Sequence, residues 1–285
     1  MTMDSQQRMS AVPDDRRILF PGSYFLDRDL VVDDTIGILI RCSDVVLNLN
    51  GHTIAHAKGP DPNSFGILVS GEHRITILNG CIDGFWHGIH LIESSCSTIT
   101  DMAIRNNGYI GIYLTGNLSK ITNNLIEDQR IDLPRTTDLY VVGINVQGID
   151  VTVAHNKFNM KSKQPAANVE YVAILVSNGT AATEIQANSI RPQTYLLKSY
   201  GVWVADDCDV IVSNNEIGNV QYGVTSDSKS TKVTCNILRN DDMHADTHGV
   251  FAPKNTDRSL LAGNTIEGFE HPTVVEFNEG SEPGS

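Results

Sequence analysis

Gly111–Glu127 reads Gly-Ile-Tyr-Leu-Thr-Gly-Asn-Leu-Ser-Lys-Ile-Thr-Asn-Asn-Leu-Ile-Glu, which is three short apolar strands separated by two polar corners. The first strand, a small residue followed by alternating apolar residues, recurs from Gly66, Gly88, Gly143, Ala173, Gly201, Gly223 and Gly249. A corner asparagine with an apolar residue two places later recurs at Asn124, Asn156, Asn188, Asn215, Asn236 and Asn264. Subtracting these positions gives spacings of 32, 32, 27, 21 and 28 residues. Such a period, with segments too short for helices, indicates a β-solenoid.

The composition limits the partners of the chain. A net charge of -13 disfavours nucleic acid, and no apolar run approaches the length of a membrane span. Met1–Arg17 is polar and lacks the apolar segment of a secretory signal. Five cysteines, an odd number without metal-ligand spacing, are typical of reduced thiols. We therefore expect a cytoplasmic protein without a cofactor or metal, whose partner is a small molecule or a glycan.

A second set of residues carries a family resemblance. Pro21-Gly22-Ser23-Tyr24, the run Leu47–Ile54 (Leu-Asn-Leu-Asn-Gly-His-Thr-Ile) and Gly66–Val69 resemble the right-handed parallel β-helix repeat proteins of the pectate-lyase-like superfamily. The resemblance implies an all-β, single-domain right-handed parallel β-helix of about nine coils. We expect a flexible tail over 1–17, the β-helix with an N-terminal capping strand over 18–272, and a closing segment and disordered tail over 273–285.

The recurring asparagines have a structural explanation. Equivalent side chains of stacked coils form columns, so an asparagine at each corner can bond to the next one. We expect an internal amide ladder without a catalytic role.

Long insertions fall between the third strand of one coil and the next glycine strand. They are Ala55–Ser64, Glu127–Val141, Asn159–Tyr171, Arg191–Tyr200 and Arg239–Thr247. Loops on one face of a repeat scaffold often build a binding side.

Strand alternation assigns side chains to the two faces of the glycine strands. With the residues one and three places after the glycine pointing inward, the positions two before and two after it face out. This predicts a trough with a glycine floor and partly aromatic walls, suited to a sugar ring. The predicted substrate-binding residues are Trp86, Gly88, Tyr109, Gly111, Asn145, Tyr171 and Trp203. The alternative is that glycine only permits a backbone bend and the aromatic residues pack under the loops.

His90 and Tyr113 are the predicted acid–base pair, because they face the trough on adjacent coils. His87 and His248, directly before a glycine, are assigned to the interior. Asp83, Arg105 and Glu127 form a second outward column, in which a carboxylate beside a cation could hold or protonate a ligand. A plain ion ladder is the alternative interpretation of this column.

The loop Asp241–Thr247 with His248 concentrates acidic residues and histidines. A divalent cation, an acid–base pair or an ordinary polar loop all fit this composition.

Three functional hypotheses remain. The first is a lyase- or isomerase-type enzyme acting on a carbohydrate or similar polyhydroxylated substrate. The second is an intracellular cyclase or isomerase of a small, partly apolar metabolite, and the third is a non-catalytic β-helix for binding or assembly. Diagnostic signatures are incomplete: Asp61-Pro62-Asn63-Ser64 lacks two residues of the Asp-Pro-His-Asp signature that alginate epimerases of this fold carry.

Overall fold

A computed structural model describes residues 9–130, 139–160, 169–253 and 256–275, with strands but no α-helix in these ranges. The chain winds into a single right-handed parallel β-helix of about nine turns, which confirms the predicted fold class. The described residues contain no helix long and apolar enough to cross a membrane. One short 3-10 turn, Arg258–Leu261, is capped by the Asp257 side chain, which accepts from the Ser259 amide.

Equivalent strands of successive turns pair in parallel and form three ladders. The first ladder contains the glycine strands: β2 (Arg17–Ile18), β5 (Ile36–Ile40), β8 (Phe65–Ser70), β10 (His87–Ile92), β12 (Ile110–Thr115), β15 (Leu139–Gln147), β18 (Val169–Val176), β21 (Leu196–Val204) and β24 (Val220–Ser226). The second contains β1 (Ser10–Ala11), β3 (Gly22–Phe25), β6 (Val45–Asn48), β13 (Lys120–Thr122), β16 (Thr152–Ala154), β19 (Thr183–Gln186), β22 (Val210–Ser213) and β25 (Lys232–Thr234). The third contains β4 (Leu30–Val32), β7 (Thr53–His56), β14 (Leu125–Glu127), β17 (Lys157–Asn159), β20 (Ser189–Ile190) and β23 (Glu216–Ile217).

Four long strands bend through a corner and join two ladders. β9 (Ile75–Asp83) and β11 (Thr98–Arg105) belong to the second and third ladders, and β26 (Ile237–Ala252) and β27 (Thr265–Val275) belong to the third and first. The predicted insertion over 239–247 is therefore strand. Residues 131–138 and 161–168 of two other predicted insertions lie outside the described residues. Strand pairing starts at β1, within the segment 1–17, and β27 continues past residue 272.

The asparagine corners form the predicted amide ladder. The backbone N–H and the Nδ2 of Asn156 both donate to Oδ1 of Asn188, at 2.9 and 3.0 Å, and Asn188 repeats both bonds to Asn215. The residue before each ladder asparagine has a left-handed backbone, for example Asn123 and Asn214, and turns the chain from the second strand to the third. The amides from Asn124 to Asn236 are buried and hydrogen-bonded, and Asn264 at the end is partly exposed, so the ladder supports the fold.

The glycine row does not form an open floor. A Cβ built on Gly88 would lie 2.4 Å from the carbonyl oxygen of Gly111 in the next turn, and one on Gly111 would lie 2.5 Å from the carbonyl oxygen of Gly143. These positions therefore point into the stack at a bend, and glycine is required because the next turn approaches closely. The prediction that Gly88 and Gly111 line a trough is wrong.

This bend also interrupts the two-residue alternation of side chains. The glycine and the residue after it both face inward, so the residue before the glycine faces out. Ile110, Val142 and Val172, each directly before a small residue, form a hydrophobic cluster separate from the main core. Tyr171, two places before Ala173, lies fully buried in the main core. The prediction that Tyr171 contacts a ligand is therefore wrong.

Candidate functional site

The candidate site is the outer face, by which we mean the side of the first ladder that points away from the main core; its middle residues Ile110, Val142 and Val172 are buried. Two columns of side chains follow it from turn to turn, in register. The column directly before the small residue contains Phe65, His87, Ile110, Val142, Val172, Tyr200, Tyr222 and His248. The column two places after it contains Leu68, His90, Tyr113, Asn145, Leu175, Trp203, Thr225 and Phe251.

Near the N-terminal end, five rings form a histidine cluster: Phe65, His87, His90, Tyr109 and Tyr113. The imidazole of His87 stacks on Phe65 at a centroid distance of 4.9 Å and an interplanar angle of 10°. His90 lies 4.6 Å from His87 and 4.6 Å from Tyr113, measured between ring centroids. Nδ1 of His90 lies 3.2 Å from Nδ1 of His87. The expected proximity of His90 and Tyr113 on adjacent turns is thus present, and His87, assigned to the interior, belongs to the same cluster.

Both histidines of the cluster are neutral near pH 7. Burial lowers the pKa of His90 to about 4, whereas burial and then the neighbouring His90 lower the pKa of His87 to about 3. Within the described part of the chain, no carboxylate or cation contributes to either shift. Burial and then Tyr109 raise the pKa of Tyr113, while a hydrogen bond with Gln147 opposes the rise. The cluster therefore offers neutral hydrogen-bonding groups on flat rings.

The middle of the outer face is apolar. The hydrophobic cluster of Ile110, Val142 and Val172 packs against the flanking side chains Tyr109, Tyr113, Leu175, Tyr200 and Trp203. Asn145 interrupts this surface: it is only 8% exposed, and its Oδ1 has no hydrogen-bond partner within the described residues. A buried carbonyl oxygen without a donor is costly, so this atom is suited to accept from a ligand hydroxyl.

Towards the C-terminal end, rings stack over four turns. The centroid distances are 4.7 Å for Tyr200–Tyr222, 5.2 Å for Tyr222–His248 and 4.9 Å for His248–His271. Burial and then the carboxylate of Glu170 raise the pKa of Tyr200 above its ordinary value. This stack therefore carries negative charge nearby.

Trp203 lies beside this stack. Its ring centroid is 5.0 Å from that of Tyr200 and 5.1 Å from that of Tyr140, and its Nε1 donates to Oδ2 of Asp227 at 3.0 Å. The hydrogen bond holds the indole on the outer face, where the sequence predicted a ligand contact.

Trp86 lies at the corner beside the histidine cluster rather than within the two columns. Its centroid is 6.0 Å from that of Tyr109, and its indole packs over Gly108 next to Pro60. Trp86 and Tyr109 are partly buried, so they border the outer face.

Asp83, Arg105 and Glu127 follow a different line, along the third ladder. Nε of Arg105 contacts Oε2 of Glu127 at 3.0 Å, and Nδ2 of Asn106 donates to Oδ1 of Asp83 at 2.8 Å. The Arg105–Glu127 contact matches the ion-ladder interpretation, whereas Asp83 bonds to Asn106 and has no ion pair with Arg105. Their catalytic role stays a prediction.

The acidic segment Asp241–Thr247, part of β26, lies beside a cavity of about 550 Å³. The cavity is lined by Gln193, Thr194, Tyr195, Leu197, Asn219, Asp241, Asp242 and His244. Nδ2 of Asn219 donates to Oδ2 of Asp241 at 2.9 Å, and Nη2 of Arg191 donates to Oδ1 at 2.5 Å. Both bonds lower the pKa of the Asp241 carboxyl, and the bond from Asn219 has the larger effect. Within the described ranges no group of three or more His, Cys, Asp or Glu residues is arranged to hold a metal ion.

Sequence reasoning missed His87, Tyr200, Tyr222 and His248 because it applied strict alternation through the glycine. One signal was present: rings recur in the position directly before the small residue, at Phe65, His87, Tyr200, Tyr222 and His248. The interior of this narrow solenoid consists mostly of Ile, Val and Leu, with only single rings such as Phe85 and Phe158, so a column of rings fits the outside better.

The family model described as a right-handed beta helix region matches residues 29–190, more than half of the chain, so the protein belongs to this family. No curated protein matches the sequence.

Solved structures with a similar fold are distant. They include the A-module of the mannuronan C-5 epimerase AlgE4 from Azotobacter vinelandii, with 14% identity, 91% of both chains covered and a TM-score of 0.48. Another is endo-xylogalacturonan hydrolase from Aspergillus tubingensis, with 13% identity, 91% of this chain and 86% of that chain covered and a TM-score of 0.46. The surface protein and adhesin PfbA of Streptococcus pneumoniae has 12% identity, 92% and 88% coverage and a TM-score of 0.31. Such similarity does not indicate an activity.

Proposed function

We propose that the protein acts on carbohydrate and holds a glycan against the outer face. The observation that carries this proposal is the pair of ring groups on one face, the histidine cluster at one end and the stack of Tyr200, Tyr222 and Trp203 at the other. Flat rings bind the apolar faces of sugars, and the neutral nitrogens and hydroxyls between them bind sugar hydroxyls. The unpartnered Oδ1 of Asn145 supports the same use.

A glycan array followed by calorimetric titration of the strongest ligand tests this proposal. Replacing one stacking ring should remove about 0.5–1.5 kcal/mol, which is a threefold to tenfold loss of affinity. We expect such losses for Tyr113→Ala and Trp203→Ala. Phe20→Ala is the matched control, because Phe20 is a ring 73% exposed near the N-terminal end that belongs to neither column. Equal affinity of both face variants and the wild type would contradict the proposal.

A second candidate function is proton transfer, as in a lyase or isomerase. The contact of His90 with Tyr113 favours it, because a neutral imidazole can accept a proton while a phenol donates one. The pKa of about 4 weakens His90 as a base near neutral pH, since a base works best when its pKa is close to the working pH.

Solvent-deuterium exchange into a bound glycan tests the second candidate. Exchange should be lost in His90→Ala while binding is largely kept, because the proton transfer matters in the transition state. The exchange rate of the wild type should fall only below about pH 4, where His90 becomes protonated. Equal exchange in the wild type and His90→Ala would exclude His90 as the base.

A further inference from the structure

His87 and His90 lie on the same strand, β10, and both side chains reach the outer face because the bend at Gly88 lies between them. Their rings are nearly perpendicular, at 85°, and their Nδ1 atoms are 3.2 Å apart. A hydrogen bond between two nitrogens needs one N–H donor and one bare acceptor. One imidazole therefore carries its proton on Nδ1, and the other has a bare Nδ1.

This pairing also determines the protonation of the two Nε2 atoms. A neutral imidazole has one proton, so the ring with the Nδ1 proton has a bare Nε2, and its neighbour has an Nε2–H. Both rings are neutral near pH 7, since burial lowers the pKa of His87 to about 3 and that of His90 to about 4. Together they present one acceptor and one donor.

Both Nε2 atoms are accessible. Neither belongs to the buried unpartnered polar atoms of the described residues, and neither has a hydrogen-bond partner there. The rings of Phe65 and Tyr113 flank the pair and offer stacking surface.

The surrounding charge limits the ligand. Among the described residues, no cation or carboxylate contributes to the pKa of either histidine, so none of them balances the carboxylate of a uronate. Two adjacent sugar hydroxyls can donate to the bare nitrogen and accept from the N–H at once. We propose that His87 and His90 form a tautomer-coupled donor–acceptor pair that binds a vicinal diol of a neutral sugar. The binding part of this inference rests on the proposed function.

Long-range proton–nitrogen NMR spectra of the 15N-labelled protein near neutral pH test the pair without any ligand. We expect one of the two histidines as the Nδ1–H tautomer and the other as the Nε2–H tautomer, with His87→Phe and His90→Phe assigning the signals. Phenylalanine at 87 keeps the stack on Phe65 and removes the nitrogens. Two Nε2–H tautomers in the wild type would overturn the pair.

A zinc titration followed in the same spectra is a second test, because two nitrogens 3.2 Å apart also suit two ligands of one transition metal at about 2.0–2.1 Å each. We expect no tight binding. Tight Zn²⁺ binding that shifts both Nδ1 signals would overturn the hydrogen-bonded pair.

Ligand titrations test the diol. Xylohexaose and cellohexaose should shift both Nε2 signals, and 2,3-di-O-methylated forms should bind at least about tenfold more weakly. Hexagalacturonate should bind more weakly than the neutral oligosaccharides. Tighter binding of the uronate, or unchanged Nε2 signals on binding of a neutral glycan, would overturn diol recognition alone. If no glycan of any class binds, the proposed function and diol recognition both fail. The tautomer measurement still shows whether His87 and His90 form the hydrogen-bonded pair.

Discussion

One small residue in each repeat, Ala173 once and glycine otherwise, decides which side chains reach the outer face. At Gly88 the next turn approaches so closely that a Cβ would lie 2.4 Å from a carbonyl oxygen. The resulting bend brings both His87 and His90 to the outer face, where strict alternation would place only one of them. The donor–acceptor chemistry of the site thus depends on a residue without a side chain.

Gly88→Ala should destabilise the protein by about 1–3 kcal/mol, because the added methyl overlaps the backbone of the next turn. Urea unfolding measures the difference. Gly71→Asn is the control: no atom lies within 4 Å of a Cβ there, and asparagine tolerates its left-handed backbone at φ 71°. Equal stability of Gly88→Ala and the wild type would contradict the bend.

The buried histidines also predict a pH dependence of stability. Their pKa values, about 3 and about 4, lie below the ordinary 6.5, so the unfolded chain binds more protons than the folded chain within this window. Stability should therefore fall as the pH drops from about 6.5 towards 4. The melting temperature of His87→Phe should fall less over this pH range than that of the wild type. The control is His155→Asn, at an exposed histidine, which should behave like the wild type. If His87→Phe had the same pH profile as the wild type, that result would contradict the burial of a neutral His87.

At the scale of the elements, identical side chains stack in columns. The ladder from Asn124 to Asn264 repeats the same two hydrogen bonds at each step, with distances of 2.9–3.0 Å. This regularity explains why sequence spacing alone predicts the strands, corners and ladder. The spacing does not predict which side chains beside Gly88 point inward, because the bend there depends on the distance between turns.

Asn188→Ala should cost about 1–3 kcal/mol of unfolding free energy, because buried amide partners on both neighbouring turns lose their bonds. Asn264→Ala, at the partly exposed end of the ladder, should cost less because water replaces the lost bonds. Denaturant unfolding compares the two. An equal cost at both positions, or a changed glycan affinity at unchanged stability, would contradict a purely structural ladder.

At the scale of the whole molecule, the stacked turns convert one position of the repeat into an extended surface. The outer face joins a neutral histidine cluster to a tyrosine stack near Glu170, with an apolar middle between them. Sequence reasoning found His90, Tyr113, Asn145 and Trp203 on this face. It misplaced Gly88, Gly111 and Tyr171, because the order of inward and outward residues changes at each glycine.

A crystal structure of the protein with a bound oligosaccharide tests the central claim most directly. The account predicts ligand density along the outer face, in contact with the rings of His90 and Tyr113 and within hydrogen-bond distance of Nε2 of His87 or His90. Density confined to the cavity beside Asp241, or to either of the other two ladders, would contradict it.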